Sequence, residues 1–308
     1  MVYPFNQTGI DYGGPIKASI TGTRGSREID VYLCVFVCFS TKAVHLETVL
    51  DLSTDGFLQC YDRFTARRGY PAVVWTDNGR NFLGARNHLS KLRSVFNSPD
   101  HSDSLVQHTA RQGTAWKFIP PRAPHFGGIW EAAVKSSKRL IKVTLKNQCP
   151  PLFTLITYLT KIEAILNSRP LVATSSSPAD LDVLTPAHFL NLRPLTAPPV
   201  EPFPTPQSFL PKWKFVQDLS QQFWSRWRHE YLSTLQSKEK WNTPDRPAKI
   251  GDIVMMMEDN APPLQWPLAR ITDLHPGPDG IPRVAEIITA QGPKTRPVIK
   301  LCPLPSQE

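Results

Sequence analysis

The sequence has 308 residues, with 35 Lys plus Arg against 26 Asp plus Glu and a net charge of +9. This length is enough for two domains with separate cores, and a 41% share of hydrophobic residues excludes a wholly disordered chain. The longest apolar run has nine residues, 31–39, less than half of the ~20 that a membrane-spanning helix needs, so we expect no membrane partner.

The first part of the chain predicts a mixed sheet covered by helices. Strand-like stretches lie at 9–20, 29–39 and 43–49, with short breaks between them as in an antiparallel meander. Ser53 can cap a helix that ends at Gly69. Shorter strands at 72–76 and 115–119 and helices at 128–146 and 152–167 follow. Residues 83–113 are polar and poorly periodic, and we assign them as loop with at most one helix.

A proline-rich segment separates this part from the rest. Seven of the eighteen residues 194–211 are proline, which cannot donate to a helix or a central strand, so an extended linker is predicted. We therefore predict domains at 1–193 and 213–308, joined by a linker at 194–212. Of the net charge, +8 lies in residues 1–193, which is typical of a surface that binds an acidic polymer such as nucleic acid.

The last part predicts one long helix and a small barrel. Aromatic and aliphatic residues recur at four-residue steps in 213–241, which indicates an amphipathic helix. This helix can pack on its own barrel or serve in oligomerisation. Short apolar runs at 253–257, 266–271, 283–288 and 297–301 alternate with turn sequences and predict a barrel of about 55 residues.

The cysteine and histidine spacings do not favour a metal module. The five cysteines form no C-x-x-C pair and the eight histidines form no H-x-x-x-H pair, so we expect no zinc in this chain. Cys34 and Cys38 lie on one face of a predicted strand, where buried thiols are favoured over a metal pair. No secretory signal is visible, which favours a reducing compartment.

Three carboxylates stand at ends or edges of predicted elements. Asp11 is the only acidic residue among the first 27, Asp77 follows the strand 72–76, and Glu131 begins a helix whose next four charges are positive. Carboxylates from separate elements are ligands for hard divalent cations. Three of them can hold two magnesium ions for an in-line phosphoryl displacement.

Each carboxylate also has a structural interpretation. Asp77 lies in an Asp-Asn-Gly turn sequence, Glu131 suits the positive end of a helix dipole, and Asp11 can begin a turn with Gly13 and Gly14. Taken singly, none of the three predicts a metal site.

The helix that follows Glu131 is basic. Five cations lie on it, namely Lys135, Lys138, Arg139, Lys142 and Lys146. Several share a face with Glu131, so a DNA backbone held by them would present a phosphate to the carboxylate. A solvated lysine face is the alternative.

Five ordered motifs carry a resemblance to a known family. They read FNQTGIDYGGP (5–15), KAVHLE (42–47), TDNGRNF (76–82), PPRAPHFGGIWE (120–131) and LNSRPL (166–171). Together they resemble the integrase of BEL/Pao long-terminal-repeat retrotransposons. The segments 251–254, 266–271 and 276–280 are similar to the small domain that follows the core in that family.

The resemblance implies a ribonuclease-H-like fold, followed by the linker, the helix and an SH3-like barrel. It implies a D,D,E triad of Asp11, Asp77 and Glu131 that binds two Mg²⁺ or Mn²⁺ ions. Water then attacks a phosphodiester near the end of the element's DNA, and the freed 3′ hydroxyl attacks the target DNA. The implied partner is double-stranded DNA, both element ends and target, with a homo-oligomer as the active form. The implied compartment is the nucleus, after synthesis in the cytoplasm.

The resemblance also implies nucleic-acid contacts. Lys135 and Lys138 stand at the offsets from Glu131 where related integrases place DNA-contacting lysines, and Arg139 and Lys142 continue that basic helix. Asn78 and Asn81 match the asparagines of the D-N-G-x-N-F motif. His125 is a candidate for phosphate or terminal-base contact, or for a structural role in its loop.

Two features depart from the family pattern. The 53 residues between Asp77 and Glu131 exceed the 35 of retroviral integrases, and we expect a loop insertion at 83–113. The sequence begins ten residues before Asp11, so the zinc-binding HHCC module expected upstream does not occur in it, and we expect assembly on donor ends to be impaired.

Two further functions compete with the integrase. One is a non-catalytic DNA-binding remnant or host-recruited protein that keeps the fold. The other is a ribonuclease-H-like nuclease that cleaves RNA·DNA hybrids. A polynucleotidyl transferase is favoured because all three carboxylates and the basic helix are present in the family order.

Overall fold

The structure is a computed structural model that describes part of the chain. The described residues are 3–22, 25–76, 84–87, 114–118, 128–146, 148–174, 181–196, 211–235, 248–258 and 261–305, without the side chains of 128–134. The chain forms two compact units, residues 1–163 and 164–308. No helix among the described residues has the length and apolarity that crossing a membrane requires.

The first unit is built on a five-stranded mixed sheet. Its strands are β1 (Gln7–Ser19), β2 (Glu28–Cys38), β3 (Val44–Val49), β4 (Val73–Thr76) and β5 (Ala115–Phe118). They lie in the order β3-β2-β1-β4-β5; β1, β2 and β3 are antiparallel, and β4 and β5 run parallel to β1. Three antiparallel strands followed by two parallel ones are the ribonuclease-H-like arrangement, and the predicted fold class is confirmed.

Strand β2 has both of its faces covered. Residues 33–38 are all buried, and a strand covered on both faces needs a continuous apolar run rather than an alternating one. The nine-residue run found in the sequence therefore lies mostly in an interior strand of this sheet, beside the central strand β1.

The helices of the first unit end where local signals predict. Three of them are α1 (Thr54–Arg68), α2 (Gly128–Leu145) and α3 (Leu152–Asn167), and α3 continues past the boundary of the unit. The Ser53 hydroxyl accepts the Gly56 N–H at 3.0 Å, and Gly69 ends α1 with φ of 83°, a conformation that favours glycine. Phe64 of α1 stacks on Phe36 of β2 with ring centroids 4.1 Å apart.

A buried charge network ties β3 to two helices. It consists of His45 and Glu47 of β3, Arg63, Arg67 and Arg68 of α1, and Glu163 of α3. His45 lies 3.2 Å from Glu47 through Nε2 and 3.3 Å from Glu163 through Nδ1. Arg63 and Arg68 each donate to one of these carboxylates at 2.7 Å. Both acids are therefore paired, as buried charges must be.

The network shifts the pKa of its members. Burial acts to lower the pKa of His45, but hydrogen bonds with Glu163 and Glu47 outweigh it and raise the pKa above the ordinary value. Burial acts to raise the pKa of Glu47 and of Glu163, but their bonds to His45 and to arginine hold both values below the ordinary one.

The second unit combines a long helix with an antiparallel sheet. It contains β6 (Val172–Ala173), β7 (Val183–Leu184), α4 (Pro186–Asn191), α5 (Pro211–Leu235), β8 (Ile253–Met256), β9 (Leu268–Pro276), β10 (Pro282–Thr289), β11 (Gly292–Pro297), a 3-10 turn (Val298–Lys300) and β12 (Leu301–Pro303). The sheet order β11-β10-β9-β8-β12, with the 3-10 turn before the last strand, is that of an SH3-like barrel. The long helix and the small sheet were both predicted.

The end of this sheet differs from the prediction. The run 297–301 was expected to be one strand, but the 3-10 turn occupies 298–300 and only Leu301–Pro303 pairs, with β8. Strand β11 was not predicted. Its sequence, GPKTRP, has no apolar alternation, because it is an edge strand with no core face to cover.

The aromatic stripe of α5 packs within its own unit. Trp224, Trp227 and Tyr231 surround the ring of Trp266, with centroid distances of 4.8, 5.9 and 5.5 Å. Leu232 joins a core cluster with residues of β8 and β12. Of the two uses proposed for the stripe, packing on the barrel is therefore the one that the described residues show.

The motif LNSRPL belongs to the same cluster. Trp266 donates from Nε1 to the Ser168 hydroxyl at 3.2 Å, and Tyr231 donates to the Pro170 carbonyl at 2.5 Å. Residues 164–193 accordingly group with the second unit, whereas the sequence placed them in the core domain at 1–193. Most of the linker, 197–210, lies outside the described residues, and the domain limits stay a prediction.

Replacing Trp224 with Ala should destabilise the second unit by about 3–5 kcal/mol, since it removes a large aromatic side chain from a full core. Trp224 is 0% exposed and donates to the Ala261 carbonyl at 2.8 Å. Trp213→Ala is the matched control on the same helix, where the side chain is 54% exposed, and should cost no more than about 0.5 kcal/mol. Denaturant unfolding measures both. An equal loss of unfolding free energy in the two variants would contradict the packing role of Trp224.

Replacing His45 with Asn should reduce stability most at mildly acidic pH. The raised pKa of His45 contributes stability that is complete below its ordinary value of about 6.5 and is lost as pH rises through the folded-state pKa. The lowered pKa values of Glu47 and Glu163 contribute stability at pH values above the ordinary glutamate pKa of about 4.3. This contribution is lost as the pH falls through the folded-state pKa values. The stability difference between wild type and His45→Asn should therefore shrink as the pH rises from about 6.5 through the folded-state pKa of His45.

The free energy of unfolding measured across this range checks the pH prediction. The control is His229→Asn, because His229 is exposed on α5. That substitution leaves the network intact, so it should not alter the pH dependence that the network causes. A constant difference for His45→Asn would show that the network does not hold the histidine proton.

Candidate active site on the mixed sheet

Asp11 lies near the middle of the central strand. It pairs with Val35 of β2, and its side chain is 39% exposed, whereas the preceding Ile10 is 1% exposed. Successive side chains on a strand point to opposite faces. Strand β1 therefore presents the accessible Asp11 carboxylate beside the apolar part of β2.

Strand β4 runs parallel beside β1. Their last paired residues are Gly9 and Trp75, and β4 ends one residue later at Thr76. Asp77, the second predicted carboxylate, follows Thr76 in the sequence and lies outside the described residues.

Lys138 of α2 is bound to the carboxylate of Asp11. Its Nζ donates to Oδ2 of Asp11 and, at 2.7 Å, to the carbonyl oxygen of Tyr12. The backbone N–H of Tyr12 donates to Oδ1 of Asp11 at 2.8 Å. Both carboxylate oxygens are thus engaged, and the lysine side chain is only 18% exposed.

Gly13 allows this close approach. A Cβ at that position would lie 3.1 to 3.4 Å from three methylene carbons of Lys138, tighter than normal contact. The β1–β2 register shifts between Gly13 and Ile16, and Gly14 has φ of 119°. Gly14 and Pro15, which lie between the paired residues Gly13 and Ile16, therefore form a bulge within the strand. Asp11 is itself paired in β1, so the alternative that it begins a turn is wrong.

The other predicted residues are only partly placed. Asn78, Asn81 and His125, like Asp77, lie outside the described residues. Glu131 lies in α2, but its side chain is not among those described. By helical spacing, position 131 shares a face with positions 135 and 138. Of the proposed ligands, the structure thus describes the side chain of Asp11 alone.

The cations of α2 fall into two classes. Lys135, Arg139 and Lys142 are exposed, at spacings that make a row along the helix. Lys138 is instead turned toward the sheet. The sequence grouped all four as DNA contacts, because a helical repeat alone does not show which lysine has an acid partner on a distant strand.

The oxygens around Lys138 suit a hard cation. A carboxylate oxygen of Asp11 and a backbone carbonyl oxygen, that of Tyr12, converge on the ammonium. Oxygen atoms of these types are the ligands that Mg²⁺ accepts. The ammonium lies where a metal ion could contact the same oxygens, so the described residues fit the predicted metal at this place.

A second group of acids and imidazole lies on the C-terminal sheet. The ligand atoms of Asp273, His275 and Glu286 lie within 4.8 Å of one another, and all three residues are exposed. Asp273 and Glu286 are a cross-strand pair of β9 and β10. Sequence spacing gave no sign of the group, because cross-strand pairing depends on register. Exposed groups of this kind form ordinary surface pairs, here with His275 3.2 Å from Glu286.

Comparison with known proteins gives one family match. Residues 211–304 match a family described as a family of unknown function (DUF5641). This is less than half of the chain, and it covers α5 and the C-terminal sheet. No curated protein matches the sequence.

Solved structures similar to this chain are viral integrases. The simian T-cell lymphotropic virus intasome in complex with PP2A regulatory subunit B56 gamma shares 12% identity over 99% of this chain and 81% of that chain, with a TM-score of 0.37. The HTLV-2 integrase catalytic core domain in complex with magnesium shares 14% identity in its trimeric form, over 62% of this chain and 99% of that chain, with a TM-score of 0.35. The dimeric form of that domain shares 16% identity over 54% of this chain and 88% of that chain, with a TM-score of 0.33. These scores are too low to carry an argument, so the fold class rests on the strand order of this chain.

Proposed function

We propose that this chain is an integrase-type polynucleotidyl transferase that acts on double-stranded DNA. Asp11, Asp77 and Glu131 would hold two Mg²⁺ or Mn²⁺ ions, and the reaction would be 3′-end processing followed by strand transfer. The finer assignment, to BEL/Pao retrotransposon integrases, rests on the five ordered sequence motifs.

One observation carries the proposal. The Asp11 carboxylate on the central strand is bound by Lys138, which belongs to the same helix as Glu131. The strand beside it, β4, leads directly into Asp77. Strand β1 thus lies beside both β4 and α2, which supports a metal site shared by the three motifs.

In this proposal the acidic residues bind the metal ions and the basic residues bind the DNA. Bound ions would supply charge stabilisation for the attacking and leaving oxygens. The carboxylates supply hard oxygen ligands, while Lys135, Arg139 and Lys142 form an exposed row that can hold the DNA backbone. Asn78, Asn81 and His125 are proposed as further contacts to the nucleic acid. A homo-oligomer acting in the nucleus completes the proposal.

A DNA-binding protein without catalysis is the second candidate. The observation that favours it is the Asp11–Lys138 pair, since an ammonium that stayed on this carboxylate would leave the first ligand neutralised. Such a protein would bind DNA in a salt-dependent way and would cleave nothing. The two candidates are separated by comparing the processing of DNA ends by wild type and by Asp77→Asn.

Asp77→Asn should abolish the processing and joining of donor DNA ends in the presence of Mg²⁺ or Mn²⁺. We expect a loss of at least about 10³-fold, because metal-held charge stabilisation amounts to several kcal/mol and about 1.4 kcal/mol is tenfold in rate. Gel analysis of labelled DNA ends measures the products. Asp62→Asn, at an exposed position of α1, is the control and should leave activity unchanged.

Three outcomes of this assay are informative. Activity that survives Asp77→Asn would contradict the triad. A wild type that binds DNA but yields no product would favour the non-catalytic candidate. A wild type that cleaves RNA·DNA hybrid and leaves double-stranded DNA intact would favour a ribonuclease-H-like nuclease.

Neutralising the exposed row should weaken DNA binding equally for all sequences. In Lys135→Gln with Lys142→Gln, we expect the slope of log affinity against log salt to fall by about 1 for each lost phosphate contact. Lys17→Gln is the control, because Lys17 is already paired with Asp30 at 2.8 Å. Titration of labelled duplex at several salt concentrations measures the slopes. An unchanged slope in the double variant would exclude this row from the DNA surface.

A further inference from the structure

We propose that Lys138 is a built-in counter-cation that occupies the metal position at Asp11 and leaves it when the metal binds. This inference rests on the proposed function, because it concerns the same carboxylate. It adds a link between metal loading and DNA binding that runs through one side chain.

The orientation of Lys138 sets it apart from its neighbours. Lys135, Arg139 and Lys142 are exposed on the same helix, whereas Lys138 is 18% exposed. Its ammonium has two oxygen partners on β1, the Asp11 carboxylate and the Tyr12 carbonyl. A partly buried ammonium needs such partners, since an unpaired one would pay the full cost of desolvation.

The ammonium and a divalent metal cannot share these oxygens. Two like charges held close together in a partly buried site repel each other, and a divalent ion repels the ammonium more strongly than a monovalent one does. An ion that binds Oδ2 of Asp11 therefore displaces Lys138. Because the two cations compete for one carboxylate, removing the lysine should raise the affinity for metal.

The surroundings of Lys138 allow it to move. A lysine stem has four methylenes and many rotamers, and the missing Cβ of Gly13 leaves the stem room beside β1. The displaced ammonium stays anchored on α2, between the exposed Lys135 and Lys142. Metal loading thus adds one cation to the row that we assign to the DNA backbone. Metal and phosphate binding should then favour each other.

Metal affinity measured without DNA tests the displacement. Titration with Mn²⁺, followed by electron paramagnetic resonance of the free ion, should show at least about 10-fold tighter binding in Lys138→Met than in wild type, equivalent to about 1.4 kcal/mol. Lys17→Met should match wild type, because Lys17 lies on β1 and pairs with Asp30 rather than with Asp11. Asp11→Asn should lose the site.

A second measurement uses the wild-type protein and does not depend on the folding of a variant. Acylation of lysines by an N-hydroxysuccinimide ester, read by mass spectrometry of peptides, should be several-fold faster at Lys138 with Mg²⁺ than without it. In Asp11→Asn, Lys138 should react rapidly whether or not Mg²⁺ is present. Lys142 should show no Mg²⁺ effect in either protein.

The outcomes separate this inference from the proposed function. Wild type that binds Mn²⁺ through Asp11, with Lys138→Met unchanged or weaker and no Mg²⁺ effect on acylation, overturns the displacement and leaves the metal site intact. A wild type that binds no Mn²⁺, or binds it equally well in Asp11→Asn, overturns both. Tighter binding in Lys138→Met together with Mg²⁺-dependent acylation supports both.

Discussion

The first unit depends on how a carboxylate is kept on its central strand. Asp11 lies on the strand between β2 and β4, and its partly exposed carboxylate is held by one cation and one backbone hydrogen bond. Lys138 supplies the cation from α2, and Gly13 supplies the space. The ion pair is therefore also the described polar link between β1 and α2, so the position of Glu131 on that helix follows from the same contact.

The second unit depends on the packing of α5 against its sheet, because the sheet alone is too small to bury much apolar surface. Strand β8 is buried on both faces. Ile253 and Met255 pack with Leu232 of α5. Val254 and Met256 belong to a second core cluster, which they form with residues of β9 and β10. The motif LNSRPL adds polar anchors through Ser168 and Pro170. The motif therefore contributes to packing within the second unit.

The sequence predicted what local patterns encode and missed what depends on distant partners. The apolar run of β2, the Ser53 cap and the stripe of α5 are set by neighbouring residues, and each was found where predicted. The Asp11–Lys138 pair joins residues 127 positions apart, and the His45 network joins β3 to two helices. Charge spacing along one helix cannot reveal such partners. Strand β11 was not predicted, because an edge strand of polar residues has no hydrophobic pattern in the sequence.

Helix α2 carries three kinds of residue in one 3.6-residue repeat. Leu140, Ile141 and Leu145 are buried, Lys138 faces the carboxylate of β1, and the exposed cations line the remaining side. A shift of one residue in this helix would exchange these roles. Since packing of the apolar face fixes the rotation of α2, it also fixes which lysine reaches Asp11. The electrostatics of the proposed site are in this way determined by the hydrophobic core beneath it.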